Sequence, residues 1–245
     1  MKWNDVFFNT FRAIREKTTA KVRKETDFIL PSMPMVDACR ADDFDFFRPL
    51  IDSGDLTAGQ MLHAAQRYLL GKSRSGIPIF WMIDDMLQPQ DGHIGSTWIS
   101  SLLKKREPLL EHWTATHCLF GLHLLNPAYS SEDAPVSIVE SETSAVILSE
   151  LLPESVWMAY ATTAHLTPDL LAPLDGRTVT IYPRTDPTMD TYMFFLDYAG
   201  IVRCCCPGVD IHIDSTLEDH ATDSQKDRCI DILEFITDSA TFHPE

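Results

Sequence analysis

The feature that most constrains the fold is an alternation of short apolar runs and helical segments between residues 136 and 190. Apolar runs occupy 136–139, 156–161 and 179–182, and a helical pattern at 145–152 ends before Pro153. Short strands separated by helical segments are typical of an α/β unit with a parallel sheet. The sequence therefore predicts an α/β fold with a parallel sheet flanked by helices in the C-terminal half, and a smaller α+β region before it.

Acidic residues follow two of these predicted strands. Glu140 comes directly after the first run, and Asp186 follows the third run, after Arg184 and Thr185. Ligands of parallel α/β sheets bind in the crevice outside the carboxyl ends of the strands. We therefore expect Glu140 and Asp186 to open onto one crevice.

This layout resembles a Toprim domain, the metal-binding module of primases and topoisomerases. In the Toprim pattern a Glu ends one strand and an Asp-x-Asp pair ends a later one, and together they hold divalent metal for phosphodiester chemistry. More narrowly, the chain resembles the primase-associated Toprim-like proteins of unknown function that Bacteroidetes mobile elements carry. The blocks that support this resemblance lie in order at 79–84, 117–125, 138–142 and 217–222.

The resemblance implies a set of acidic residues for an active site. Glu140 and Asp186 would be the catalytic residues of an active enzyme, and its Mg²⁺ ligands would be Glu140, Glu142, Asp186 and Asp190. Asp190 lies about one helical turn beyond Asp186, so the two side chains can face the same way. Two-metal chemistry requires several carboxylates in one small cluster.

The sequence departs from the Toprim pattern at this site. Arg184 stands at the first position of Asp-x-Asp, and Thr143 stands where the resemblance implies a Lys. Arginine cannot be deprotonated in a protein, so Arg184 would oppose a metal in that shell. The altered site residues, with the apolar runs kept, indicate a retained fold whose nuclease or primase-type activity is lost.

Three functions are left open. The first is a catalytically degenerate Toprim-like protein that acts by binding in mobile-element DNA replication or its regulation, with no cofactor. The second is an active Mg²⁺-dependent primase- or nuclease-type enzyme, which requires Glu140, Asp186 and another carboxylate to converge with Arg184 turned away. The third is an acidic DNA mimic or protein inhibitor. The first function, binding by a degenerate Toprim-like protein, predicts that Arg184 fills the place of the metal and pairs with Glu140 or Asp186.

The charge distribution bears on the partner. The chain carries 20 Lys and Arg against 36 Asp and Glu, a formal net charge of −16. An acidic surface repels phosphate, because nucleic-acid binding depends on Lys and Arg that displace counterions. Residues 1–25 differ: seven basic and three acidic residues give them +4. We expect a protein partner, with any nucleic-acid contact made through this basic segment.

The domain organisation predicted from these patterns has three parts: a basic N-terminal helix or arm at 1–25, an α+β region at 26–130 and the Toprim-like domain at 131–245. The α+β region should contain a connector at 28–36, a helix at 57–70 capped by Thr57 and ended by Gly71, and a hairpin of strands at 76–83 and 92–94. The Toprim-like domain should contain helices at 188–199 and 224–236, with a fourth strand at 201–206 between them.

Cysteine and histidine usage indicates no metal or disulfide framework. The six cysteines include no C-x-x-C pair, which favours free thiols in a reducing compartment. His112, His117, His123 and Cys118 lack the paired spacing of zinc ligands, so packing is the simpler interpretation. The absence of a signal-peptide core and of a membrane-length apolar run predicts a cytoplasmic protein without membrane contact.

Overall fold

The computed structural model describes residues 30–107, 110 and 112–240, and the side chains up to residue 238. The basic segment predicted at 1–25 lies outside the described residues. The chain divides into two compact units, which meet in sequence between Asn126 and Pro127. The sequence analysis had placed that boundary after residue 130.

The N-terminal unit is built on an antiparallel sheet with the strand order β1-β2-β3-β4. Its elements are α1 Met33–Cys39, a 3-10 turn Asp45–Phe47, α2 Arg48–Ser53, α3 Ala58–Arg67, β1 Gly71–Lys72, β2 Pro78–Ile83, β3 Pro89–Ile94, β4 Thr97–Trp98, α4 Ile99–Arg106 and a 3-10 helix Leu122–Leu125. This arrangement confirms the α+β class predicted for the N-terminal half.

Local signals explain most of these elements. The predicted hairpin is confirmed, with β2 pairing antiparallel to β3, and Asp84 closes the turn by accepting the amides of Met86 and Gln88. Thr57 caps α3 in a reciprocal capping box with Gln60, as predicted. The helix nevertheless ends at Arg67 rather than near Gly71, because Leu69 adopts a left-handed φ of 54°.

The connector predicted at 28–36 is wrong in its second half. Residues from Met33 onward form α1, with Pro34 in the first turn of the helix. Proline is tolerated there, since the first amides of a helix have no intrahelical acceptor. The helix forms because Met35, Val36 and Cys39 are buried in the core of the unit.

The C-terminal unit contains a four-stranded sheet in which all strands are parallel, in the order β6-β5-β7-β8. Its elements are β5 Val136–Val139, α5 Glu142–Leu151, β6 Val156–Ala159, 3-10 helices Thr163–His165 and Pro168–Leu174, β7 Thr178–Ile181, α6 Asp190–Cys205, β8 Asp210–Ile213, α7 Thr216–His220, α8 Asp223–Asp227 and α9 Ile232–Ala240. The predicted fold class, a parallel sheet flanked by helices, is confirmed.

The strand order places a topological switch point between β5 and β7. The chain leaves β5 toward β6 on one side and later enters β7 on the other side of β5. Because parallel crossovers are right-handed, these connections lie on opposite faces of the sheet. Every residue of β5 and β6 is buried, as expected for a sheet covered on both faces. The carboxyl ends of β5 and β7 are therefore where a ligand crevice would form.

Two predictions in the last third of the chain are wrong. The strand predicted at 201–206 is the end of α6, and the fourth strand is β8. Val202 falls on the same buried side of α6 as Phe195 and Ala199, so the helical packing decided the local structure. The helix predicted at 224–236 is broken into α8 and α9, because Cys229 adopts a left-handed φ of 53°.

In the part of the chain that the structure describes, none of the helices combines the length and the apolar character that crossing a membrane requires.

Candidate functional site

The predicted site residues surround the carboxyl ends of the parallel strands. Glu140 follows β5, and its carbonyl accepts the Ala161 amide from the loop after β6 at 3.0 Å. The amide of Tyr182, directly after β7, donates to the Ile138 carbonyl at 2.8 Å. The segments that follow β5 and β7 therefore leave the sheet side by side. Arg184 lies two residues beyond Tyr182. The fold therefore brings Glu140 and Arg184 to the switch point.

Arg184 is held at this edge by three contacts. Its Nη1 lies 3.5 Å from Glu140 Oε2, within ion-pair distance. Its Nε and Nη2 both donate to the carbonyl of Cys229, at 3.2 and 2.9 Å. The guanidinium thus joins the loop after β5, the loop after β7 and the turn before α9. It points toward Glu140, as the binding hypothesis requires.

Thr185 continues this attachment through a buried network. Its amide donates to the Ile230 carbonyl at 3.0 Å, and its hydroxyl donates to Glu218 Oε1 at 3.0 Å. Glu218 also pairs with Lys226 Nζ at 3.2 Å, and the Glu218 side chain is only 5% exposed. We call residues 214–231 the closing segment, because they bond to the loop after β7 at these points.

Asp186 uses both carboxylate oxygens to begin α6. Oδ1 accepts the amides of Thr188 and Asp190, at 2.8 and 3.2 Å, and the Thr188 hydroxyl at 2.7 Å. Oδ2 accepts the Thr191 amide at 2.8 Å. Burial opposes ionisation, but the hydrogen bonds from Thr188 and Thr191 outweigh it and hold the pKa of Asp186 below its ordinary value. Asp186 is a helix-capping residue.

The other two predicted ligands lie in the first turns of helices. Glu142 is buried, at 7% exposure, in the first turn of α5. Asp190 opens α6, and its Oδ2, at 2.8 Å, shares the one Thr188 hydroxyl proton with Asp186 Oδ1. Among the residues that the structure describes, no three His, Cys, Asp or Glu side chains gather as metal ligands would. The arrangement that the enzyme hypothesis requires, with converging carboxylates and Arg184 turned away, is not found in the described residues.

A comparison of this chain with known protein families assigns it to one of them. Residues 45–185 match the family described as a domain of unknown function (DUF6371). The chain belongs to this DUF6371 family. The match covers more than half of the chain and ends at Thr185, so it includes Glu140, Glu142 and Arg184 but neither Asp186 nor the closing segment. None of the curated proteins matches the chain.

Tyr160 is a residue of this DUF6371 chain that the sequence analysis missed at the site. It follows β6, is 4% exposed and packs its ring against Phe195, with ring centroids 5.6 Å apart. Burial, and secondarily the charge of Glu140, raise the pKa of Tyr160, while Arg184 lowers it in part. The phenol therefore stays protonated at neutral pH. In the sequence, Tyr160 is only an aromatic residue near the end of the apolar run 156–161.

The closing segment was also missed as part of the site. Its contributions are two backbone carbonyls, which any residue supplies, and the pair Glu218 and Lys226. Carbonyls leave no sequence signature. The one readable signal was the capping box of Thr222 with Gln225, which marks the start of α8.

The histidines and cysteine considered for zinc lie in the N-terminal unit of this DUF6371 chain, where His117 and His123 serve packing and His112 is exposed. His123 is fully buried; its Nε2 lies 3.1 Å from the Arg67 carbonyl, and burial lowers its pKa to about 4. His117 packs edge-on against Trp98. Burial, and then Asp84, Asp85 and Asp91, raise the pKa of the Cys118 thiol. A protonated thiol is a poor metal ligand.

Proposed function

We propose that this chain is a catalytically degenerate Toprim-like protein, which acts by binding a protein partner in the replication of a mobile element or in its regulation. The replication context comes from the sequence resemblance. The loss of metal chemistry is inferred from the site, and the binding role follows from what remains on the fold.

The observation that carries this proposal is the ion pair between Arg184 and Glu140 at the switch point. A cation at this position already neutralises the carboxylate that the resemblance assigns to the metal. Two unit charges about 4 Å apart interact by about 1 kcal/mol in water and about 4 kcal/mol at a partly screened protein surface. The repulsion between Mg²⁺ and the guanidinium would be about twice that, because the ion is divalent. Two hydrogen bonds to Cys229 hold the guanidinium there.

The bonds of Asp186 support the same conclusion. Four donors from the start of α6 satisfy its two oxygens. Turning this carboxylate toward a metal would uncap α6, and loss of a helix cap costs about 1 kcal/mol. The second carboxylate of the implied set is therefore committed to the fold.

The charge of the chain favours a protein partner over nucleic acid. The net charge of −16 opposes contact with phosphates and attracts cationic protein surfaces. Nucleic-acid contact through residues 1–25 stays a prediction, since that segment lies outside the described residues.

The test is a calorimetric titration of the purified protein with Mg²⁺ and with Mn²⁺. We expect no stoichiometric binding to the wild-type protein. Stoichiometric binding that Glu140→Ala abolishes would overturn the proposal and favour the enzyme alternative, with Glu140, Glu142, Asp186 and Asp190 as ligands. Assays of nucleic-acid cleavage and primer synthesis would then follow.

A gain-of-function variant sharpens this test. Arg184→Asp replaces the cation by the carboxylate that the Toprim pattern has there, and we expect measurable Mn²⁺ affinity. Arg48→Asp is the matched control, because it changes the charge equally at an exposed position in the other unit. Failure of Arg184→Asp to gain affinity over Arg48→Asp would count against the idea that Arg184 occupies the place of the metal.

A further inference from the structure

The outer side of α6 carries a row of exposed apolar residues. Met193, Leu196 and Ile201 are 51%, 40% and 52% exposed. Gly200 and Cys204 lie exposed on the same side, at the spacing of one helical face. We call these five residues the outer face of α6.

This face is not the side by which α6 joins its own unit. The opposite side packs into the core through Phe195, Tyr198, Ala199 and Val202. Single exposed apolar residues are normal on a protein surface, whereas several on one side of a helix, here grouped around Asp197, indicate an interaction site. Both sides of the helix carry apolar residues, but among the described residues only the inner side is buried.

Gly200 adds an independent observation. It lies in the interior of a 16-residue helix, where glycine is less favourable than alanine. Its φ is not in the left-handed region, and a Cβ added to it would meet no heavy atom within 4 Å. Neither backbone conformation nor crowding within the described residues requires glycine here. The absence of a side chain at the centre of an exposed helical face allows another backbone to approach closely.

The charge within the face is acidic. Asp197 lies four residues from both Met193 and Ile201 and is exposed, and Asp190 lies nearer the start of the helix. The nearby Arg203 donates to the Ile211 carbonyl at 2.8 Å, which directs its guanidinium toward β8. A second copy of this chain would bring the same acidic groups and another −16 of net charge. A cationic partner complements this face instead.

We propose that the outer face of α6 is a docking surface for a basic amphipathic helix of a partner protein. The apolar stripe of the partner would pack over Met193, Leu196 and Ile201, with its backbone closest at Gly200 and its Lys or Arg residues beside Asp197. Helices that pack across small residues approach most closely. This inference names the surface for the binding role and rests on the proposed function.

The probe is a synthetic amphipathic helical peptide of Leu and Lys, labelled for fluorescence anisotropy. Its matched control carries Glu in place of every Lys. We expect the Lys peptide to bind and the Glu peptide to bind at least tenfold more weakly. Met193→Lys should weaken binding of the Lys peptide at least tenfold, because it removes an apolar contact and repels the peptide, whereas Met86→Lys, at an exposed site in the other unit, should not. Equal effects of the two substitutions would overturn the proposal.

Gly200→Ala separates docking from folding. Alanine favours the helix, so urea unfolding should show a stability equal to or above that of the wild type. The added methyl group should nevertheless weaken binding of the Lys peptide several-fold. Bound peptide should also slow alkylation of Cys204. Unchanged binding by Gly200→Ala together with unchanged alkylation would contradict docking at this face.

Light scattering identifies the competing occupant. A wild-type dimer that Met193→Asp converts to a monomer would show that a second copy covers the face and would overturn the basic-helix proposal. These outcomes are independent of the metal titration. Stoichiometric Mg²⁺ binding would defeat the proposed function, whereas peptide binding that ignores Met193 would defeat only this inference.

Discussion

The strand-end edge of the parallel sheet and the outer face of α6 lie in the same unit. They differ in whether their side chains bond or pack within the chain or remain exposed. At the edge, Arg184, Thr185 and Asp186 direct their polar groups into bonds with the chain itself. On the outer face of α6, apolar side chains such as Met193 and Ile201 remain exposed. In this fold class ligands bind at the strand-end edge, whereas the exposed apolar surface described above lies on the outer face of α6.

Catalysis and docking place different demands on these two regions. A catalytic edge needs groups that are positioned but still available to a substrate or metal. A docking face needs apolar surface that the fold has left uncovered. In this chain the groups at the edge stabilise the fold, and the available surface lies on the helix. Variants in both regions test that division, and the buried side chains should give the largest losses of stability.

The two sides of α6 should respond very differently to truncation. Phe195→Ala removes a fully buried ring and should lower the free energy of unfolding by about 3–5 kcal/mol. Leu196→Ala, at the next position and 40% exposed, should lower it by less than about 1.5 kcal/mol. Urea unfolding followed by circular dichroism measures both. Similar losses for the pair would contradict the assignment of inner and outer sides.

The buried hydroxyl of Thr185 should matter more than its shape. Thr185→Val keeps the volume but removes the hydrogen bond to Glu218, and bonds to a charged group contribute about 1.5–3 kcal/mol. Thr185→Ser keeps the hydroxyl and loses a methyl group, for about 0.8 kcal/mol. The urea unfolding midpoints of the two variants show which substitution lowers the stability more. A more stable Val variant would show that the closing segment does not depend on this bond.

Capping by Asp186 should make stability depend on acid pH. Asp186→Ala should lower the free energy of unfolding by about 1 kcal/mol at pH 7, and Asp186→Asn, which keeps an acceptor oxygen, by less. The folded state lowers the pKa of Asp186, so its ionised form stabilises the protein above the unfolded-state pKa of about 4.

That contribution is lost as the pH falls from about 4 through the lower folded-state pKa. Thermal unfolding between pH 7 and pH 3 should therefore show a shallower acid decline for Asp186→Asn than for the wild type. Identical declines for the two proteins would refute the assignment of the lowered pKa to Asp186.

The ion pair at the switch point should contribute little to stability. Its side chains are 45% and 33% exposed, and such pairs are worth about 0–1 kcal/mol. Glu140→Gln should change the urea midpoint slightly, and added salt should shrink the difference. Exposed Glu154→Gln is the control. A loss above about 2 kcal/mol would mean that Glu140 supports the fold rather than balancing Arg184.

The class of the fold and the neighbourhood of the site follow from sequence patterns alone. Apolar runs separated by helical signals specified the parallel sheet, because burial on both faces demands continuous apolar strands. The positions of Glu140 and Arg184 after two of those strands followed from the same pattern. A local capping signal at Thr57 was equally readable, since its partner Gln60 is three residues away.

What those residues do depends on packing between segments distant in sequence. Residues 201–206 read as a strand locally, but packing of Val202 beside Phe195 and Ala199 makes residues 201–205 helical. Whether Asp186 ligates a metal or caps α6 depends on the path of the chain at 188–191, and Arg184 is held by a carbonyl 45 residues away. Backbone carbonyls have no residue-specific signal, and side-chain direction is set by contacts distant in sequence. The fold class follows from local patterns, whereas the commitment of each site residue follows from long-range packing.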